Sequence, residues 1–296
     1  MNMKTFVLGV GAQKSGTTWL YHYLSSLDQT CFSEIKEMHY FDSLYLSEMK
    51  WYSRMVQKDV YRSLLYDKMP SASSALQLAF LTNPDLYFQY FHGLLSRSDD
   101  RFLTGDITPA YSMLNARIYE RIKAVFESFG VQVKVIFLMR DPALRLVSSL
   151  RHRERHQSQQ LSAADELYRL NQELSRGEAS SSVKRGCYQQ TIHQLEHVFD
   201  RNDIFYGLFE ELFSEEQTKL ICQFLGLDWK KPDFNRRYVP TSAKDFAITR
   251  DCQTSIYTFY QSSIEEAVKI FGSLKIQKLW PDAFAHWDQA NMSELS

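Results

Sequence analysis

The stretch GVGAQKSGTTWLYHYL, Gly9 to Leu24, constrains this chain more than any other. A short β-rich run, Thr5 to Val10, ends in glycine. Residues Thr17 to Leu27 then set Trp19, Leu20, Tyr23, Leu24 and Leu27 on one helical face. Strand, glycine loop and helix is the opening of an α/β nucleotide-binding unit. Gly11 and Gly16 stand at the GxxxxG spacing, which alone fits a plain connecting turn. Lys14, Ser15, Gly16, Thr17 and Thr18 in succession say more. Their backbone N–H groups form an anion nest, the helix start adds its positive end, and the threonine hydroxyls add donors. A triphosphate loop needs its lysine directly after the second glycine, followed by a metal-holding Ser or Thr. Here Thr17 follows Gly16 and the lysine comes earlier, at Lys14. One terminal phosphate, held without a metal, fits these residues better than a magnesium triphosphate.

The same grammar returns at KVIFLMRDP, Lys134 to Pro142: an apolar strand, a polar end, Asp141 as N-cap and Pro142 at the first helical position. The following helix runs through ALRLVSSLRHRERH. Further strands are expected at RFLTGD (Arg101 to Asp106) and DIFYGLFEEL (Asp203 to Leu212). Helical spacing marks Leu46 to Val56, Pro84 to Leu95, Ala116 to Phe129 and Glu215 to Leu225. Continuous apolar strands alternating with helices predict one P-loop-like α/β domain over residues 1–296. Its central parallel sheet is flanked by helices on both faces. The polar stretch 155–185 reads as a flap over the site. Arg145, Arg151, Arg153 and Arg155 read as a solvated basic face.

Composition narrows the location of any anion site. The formal net charge is −1, so no global field draws in nucleic acid or an anionic membrane, and the site must be local. Cys31, Cys187, Cys222 and Cys252 are widely spaced without a CxxC pair, which fits buried thiols rather than zinc. The N-terminal apolar run feeds the glycine loop and reads as a strand rather than a signal peptide. No stretch of 18 apolar residues exists, so no transmembrane helix and a cytoplasmic location are expected. The oligomeric state is left open.

QKSGTTWLY resembles the 5′-phosphosulfate loop of sulfotransferases that use 3′-phosphoadenosine-5′-phosphosulfate (PAPS). RDPALRLVSS resembles their 3′-phosphate motif, with Arg140 at a strand end and Ser148 in the following helix. KEMHYFD (Lys36 to Asp42) and GDITPAY (Gly105 to Tyr111) resemble segments of the heparan-sulfate, carbohydrate-type branch. KRGCY (Lys184 to Tyr188) stands where the family places a nucleotide-contacting loop. The resemblance implies PAPS as co-substrate and its bisphosphate PAP as product, without a metal. It implies nucleotide contacts from Lys14, Ser15, Gly16, Thr17, Thr18, Trp19, Arg140, Ser148, Lys184, Arg185, Gly186 and Tyr188. It implies a hydroxyl-bearing acceptor, carbohydrate or other small molecule, met by Lys36, His39, Asp106 and Thr108. Glu37 is the expected general base and His39 the alternative, since imidazole titrates near neutral pH. Lys14 is placed to meet charge on the leaving phosphate. Asp106 and Ile107 replace the branch's Glu-Lys pair, which argues against a heparan-like polymer. A small-molecule or nucleotide kinase is the alternative enzyme, disfavoured by the displaced lysine. A nucleotide-binding protein without transfer activity is the third reading.

Overall fold

β1 (Thr5–Gly11) is buried along its whole length, as is β2 (Leu103–Ile107). Strands buried on both sides need no polar alternation, and this is how parallel sheets read. In the computed structural model, which describes residues 3–156, 162–235 and 249–294, four strands align parallel in the order β2-β1-β3-β4. β3 is Gln132–Met139 and β4 is Ile204–Leu208. Thr5 to Gly9 pair in register with Leu103 to Ile107. The β1–β3 register shifts between Gly9 and Gly11, where the glycine loop departs.

The crossovers carry α1 (Thr17–Ser25), α2 (Tyr40–Tyr45), α3 (Lys50–Leu65), α4 (Ala72–Thr82), α5 (Pro84–Leu95) and α6 (Ala116–Ser128). After β3 come α7 (Pro142–His156), α8 (Ala163–Ser175), α9 (Ser181–Lys184) and α10 (Tyr188–Glu196). After β4 come α11 (Phe209–Leu212), α12 (Glu215–Leu225), α13 (Arg250–Phe259), α14 (Gln261–Phe271), α15 (Ser273–Leu279) and α16 (Pro281–Glu294). The period-two alternation of β1 feeds two cores. Phe6, Leu8 and Val10 join the larger cluster, where the Phe6 ring stacks on Phe126 at 4.0 Å and meets Phe91 edge-on at 5.0 Å. Val7 points to the other face, into a cluster with Leu20 and Leu24 of α1 and Ile221 and Leu225 of α12.

The helices at 84–95 and 215–225 fall on their expected bounds. The helix expected over 46–56 begins at Lys50 after a 3-10 turn at Ser47–Met49 and runs to Leu65. The strand expected over 203–212 ends at Leu208, and its FEEL tail turns into α11. The basic face of α7 is not a solvated one. Arg145 is fully buried, Arg151 pairs with Glu166 at 3.2 Å, and Arg153 pairs with Glu173 at 2.8 Å, both acids on α8. The side chain of Arg155 lies outside those described. Most of the stretch expected as a flap is therefore helical and tied to α7, with Leu170 in the main core. Residues 157–161 lie outside the described residues.

Gly105 marks how closely the edge strand β2 approaches β1. A Cβ there would sit 2.4 Å from the Val7 carbonyl oxygen, a backbone atom that cannot step aside. Gly105→Ala is expected to lower stability in urea unfolding by about 1–3 kcal/mol, the usual effect of overpacking a core.

Candidate anion and acceptor site

The glycine loop leaves β1 at the carboxyl edge of the sheet, where ligands of open α/β sheets gather. The Ala12 amide stays tied to β3 through the Leu138 carbonyl at 2.6 Å. Lys14 (φ 72°) and Gly16 (φ 85°) take left-handed conformations, which turn successive amides to one side. Among the described residues no carbonyl accepts from the N–H groups of Gly16, Thr17, Thr18 or Trp19 at the start of α1. Ser15 is fully buried and its Oγ has no partner. A buried hydroxyl and a row of amides, all lacking acceptors, suit an anion. The Trp19 side chain does not join them. It is buried between Tyr23, Phe213 and Phe234, so only its amide faces the loop.

Arg140 follows β3 and reaches back across the loop. Its Nη1 donates to the Lys14 carbonyl at 3.1 Å, its guanidinium lies 4.3 Å from the Phe209 ring centroid, and its buried Nε has no partner. Burial pulls the Arg140 guanidinium below its ordinary value, with the Glu210 charge opposing. Asp141 caps α7, accepting from the Ala143 and Leu144 amides at 2.9 and 3.0 Å as the sequence predicts. Ser148 lies on α7 beside Ser149, whose Oγ donates to Gln13 of the loop at 2.9 Å.

Tyr188 is fully buried, and its hydroxyl donates to the Arg140 carbonyl at 2.7 Å, which sets the arginine in place. Arg145 does the same for the segment ahead of it. Its Nη2 donates to the Ser182 carbonyl at 2.7 Å, and a Cβ on Gly186 would lie 2.8 Å from that nitrogen. The C-terminal helices brace both: Tyr257 donates to Asp141 at 3.1 Å, Tyr260 to the Val183 carbonyl at 2.8 Å, and Ser263 to the Gly186 carbonyl at 3.0 Å.

Lys184 and Arg185 point toward the acid-bearing segment. Lys184 Nζ pairs with Glu48 at 3.1 Å, and Arg185 Nη2 reaches the Met49 sulfur at 3.2 Å. Burial lowers the Arg185 guanidinium, while Asp42, Glu37 and Glu48 act to raise it.

The acid-bearing segment is clamped from below by Asp106. This buried carboxylate accepts from the Met38 amide (3.3 Å), Thr108 Oγ1 (2.7 Å), Tyr87 OH (2.8 Å) and Tyr111 OH (2.7 Å). The Tyr111 hydroxyl also accepts from the Tyr40 amide at 3.2 Å. Asp106 and Thr108, the acceptor contacts that the resemblance implies, are both buried here, and Thr108 donates to Asp106. Burial pushes the Asp106 carboxyl up, and those hydrogen bonds oppose the rise.

Above the clamp, Glu37 (φ 60°) and His39 (φ 50°) both hold left-handed backbone, unusual for residues with a Cβ. Such strain persists where surroundings over-determine it, as the fixed amides on either side do here. His39 Nδ1 contacts Asp42 Oδ2 at 2.6 Å, and its Nε2 lies 3.4 Å from Glu37 Oε2. Lys36 pairs with the other Glu37 oxygen. Burial opposes charge on the imidazole, but hydrogen bonds to Asp42 and Glu37 outweigh it and raise His39 from 6.5 to about 9. Burial likewise opposes charge on Glu37, and His39 with Lys36 outweighs it, holding that carboxyl at about 2. The turn Pro109–Met113 joins this segment to the loop, since a Cβ on Gly11 would meet the Pro109 carbonyl at 3.1 Å.

A strand-loop-helix turn with an arginine crossing from the next strand, beside a carboxylate–imidazole chain, makes up this candidate site, and the parallel sheet that carries it is of the P-loop-like α/β class. A domain model for sulfotransferases matches residues 4–270, and the chain belongs to the sulfotransferase family. Its fold is similar to that of a sulfotransferase from Alicyclobacillus acidocaldarius, with a TM-score of 0.57 and 18% identity over 90% of this chain and 95% of that one. It is also similar to the sulfotransferase domain from the curacin biosynthetic pathway, with a TM-score of 0.50 and 17% identity over 81% of this chain and 80% of that one. No curated protein matches the chain.

The charges of Glu37 and His39 carry a pH signature. His39 is raised from 6.5 to about 9, so its contribution to stability is complete below about 6.5 and fades as pH rises through 9. Glu37 is lowered from 4.5 to about 2, so its contribution is complete above 4.5 and fades as pH falls toward 2. The stability difference between wild type and His39→Gln is expected to be largest from pH 4.5 to 6.5 and to shrink through pH 9 in urea titrations.

Proposed function

We propose that this chain moves a sulfuryl group from PAPS to a hydroxyl on a small acceptor, releasing PAP. The observation that carries the reading is the unsatisfied amide row at residues 16–19 with Arg140 fixed across it. PAPS supplies an activated sulfuryl group whose bond to the 5′-phosphate oxygen breaks as the bond to the acceptor oxygen forms. We assign Ser15, Gly16, Thr17, Thr18 and the Trp19 amide to the 5′-phosphate. Arg140 and Ser148 are assigned to the 3′-phosphate, a bidentate fork and a hydroxyl. Lys14 neutralises the negative charge that grows on the leaving phosphate oxygen, the kind of stabilisation that dominates transfers of this type. Lys184 and Arg185, turned toward Glu48 and the Glu37–Asp42 segment, are assigned to the joint between nucleotide and acceptor.

Glu37 takes the acceptor proton. A carboxyl held at about 2 is a weak base, but in a loose transition state the proton leaves late, from an oxygen already bonding to sulfur and strongly acidic. His39, raised to about 9, is a cation at neutral pH and donates rather than accepts. We therefore assign it to orienting Glu37, with Asp42 behind it and Lys36 on the other carboxylate oxygen. Asp106 and Ile107 are buried where the heparan-type segment carries its Glu-Lys pair, so an uncharged or compact acceptor is favoured over an anionic sugar polymer.

PAP is expected to bind tightly without magnesium, read by calorimetry. Tight Mg-ATP binding without PAP affinity would instead assign a kinase, and PAP binding without turnover on any acceptor would assign a binding protein. Lys14→Ala is expected to lower kcat by about 10²–10³-fold with PAP affinity changed only a few-fold. Glu37→Gln is expected to lower kcat by about 10²–10⁴-fold. Normal turnover in either variant would remove that residue from the mechanism.

A further inference from the structure

α3 packs along α4 and against α2 but buries little of its own surface. Val56 and Val60 are its buried positions, and Tyr52 adds a hydrogen bond with Gln77 of α4 at 2.6 Å. The rest of the helix faces outward and has a distinct chemistry. Lys50, Arg54, Lys58 and Arg62 recur every four residues, and all are exposed. None of the four enters an ion pair among the described residues. Of the nearby acids, Asp59 accepts from Ser74 and Glu48 pairs with Lys184, while Asp67 in the turn stands beside the exposed Lys68.

Bulky apolar side chains interleave with these cations. Trp51 and Met55 lie along the ridge, and Leu64, Leu65, Tyr66 and Met69 crowd its far end, with exposure from 48% at Met55 to 90% at Met69. Scattered exposed hydrophobics are ordinary, but a contiguous set is an interaction surface. Lys and Arg beside Trp, Tyr and Leu on one exposed helix is the chemistry of a bilayer interface: cations meet lipid phosphates and apolar tips enter the acyl boundary. Among the described residues no helix is long and apolar enough to cross a membrane, so the contact is peripheral.

We propose that α3 and the turn after it dock this protein on an anionic lipid surface. Docking there brings the acid-bearing segment to the bilayer. Met49, one residue before α3, is the Arg185 contact; the Tyr52 ring lies 4.4 Å from that of His39; and the Trp51 ring lies 5.7 Å from that of Tyr52. From there the helix extends about 24 Å to its tip. The inference rests on the surface alone and not on the transfer reading.

The test is sedimentation with vesicles of phosphatidylcholine, with and without phosphatidylglycerol. The full chain is expected to bind the anionic vesicles, to ignore the neutral ones, and to be released by added salt. Substituting Arg54→Gln, Lys58→Gln and Arg62→Gln together is expected to weaken partitioning about a hundredfold. Substituting Leu65→Ser, Tyr66→Ser and Met69→Ser together is expected to weaken it about tenfold. All six positions are exposed, so both variants are expected to keep the wild-type unfolding midpoint. No binding to anionic vesicles at low salt overturns the proposal, as does binding that both variants retain. Binding of poly-glutamate without vesicle binding overturns it in favour of an acidic protein partner.

Discussion

The site depends on one buried carboxylate. Asp106 sits at the end of β2 and collects donors from the Met38 amide, Thr108, Tyr87 and Tyr111. A buried charge is costly unless fully hydrogen-bonded, and here the donors come from several separate parts of the chain. The requirement to satisfy it therefore orders all of them together. Met38 is the residue between Glu37 and His39, so the carboxylate fixes the midpoint of the acid-bearing segment. Tyr111 extends the clamp to the Tyr40 amide. The two left-handed residues persist because the amides beside them cannot move.

The glycine-loop side is built on the opposite principle. There the protein gathers cations and leaves donors unmet. Arg140 is steadied by Tyr188, which in turn is held by Ser263; Arg145 steadies the 182–186 segment, which Tyr260 also holds. Among the described residues, buried guanidinium nitrogens on Arg140, Arg145 and Arg185 have no partner. The acid-bearing segment pairs most of its own charges, with only Asp42 Oδ1 buried and unpartnered among its described carboxylate oxygens, while the loop presents donors wanting an acceptor. Asymmetry of this kind suits a site in which one half keeps its own charges and the other receives a charged substrate.

Much of this was legible in order along the chain. The loop, the strand leading to Arg140 and the Asp141–Pro142 helix start are local events, governed by glycine, capping and proline chemistry that residues a few places apart decide. What escaped was decided at long range. Asp106 reads the same whether it faces solvent or core, and only Tyr87 and Tyr111 arriving from elsewhere make it structural. Arg145 looked like its basic neighbours on α7 until Ser182 and Tyr260 closed over it. Trp19 follows the loop directly, yet its side chain is claimed by Phe213 and Phe234. The helices from Arg250 onward carry no chemical motif of their own, though Tyr257, Tyr260 and Ser263 brace both loops. The cationic ridge of α3 was averaged away in a net charge of −1.

The small buried face of α3 bears on which parts of such a protein can vary. Val56, Val60, Gln77 and Phe80 are the buried positions of the α3–α4 pair, and Tyr52 and Gln77 reach from it to His39 and Met38 of the acid-bearing segment. Outward-facing residues on that pair are free to drift without disturbing the carboxylate beneath the acid-bearing segment. The outer face of this helix pair and the chemistry of the sheet edge are thus separable: one can be rewritten by substitution without touching the other.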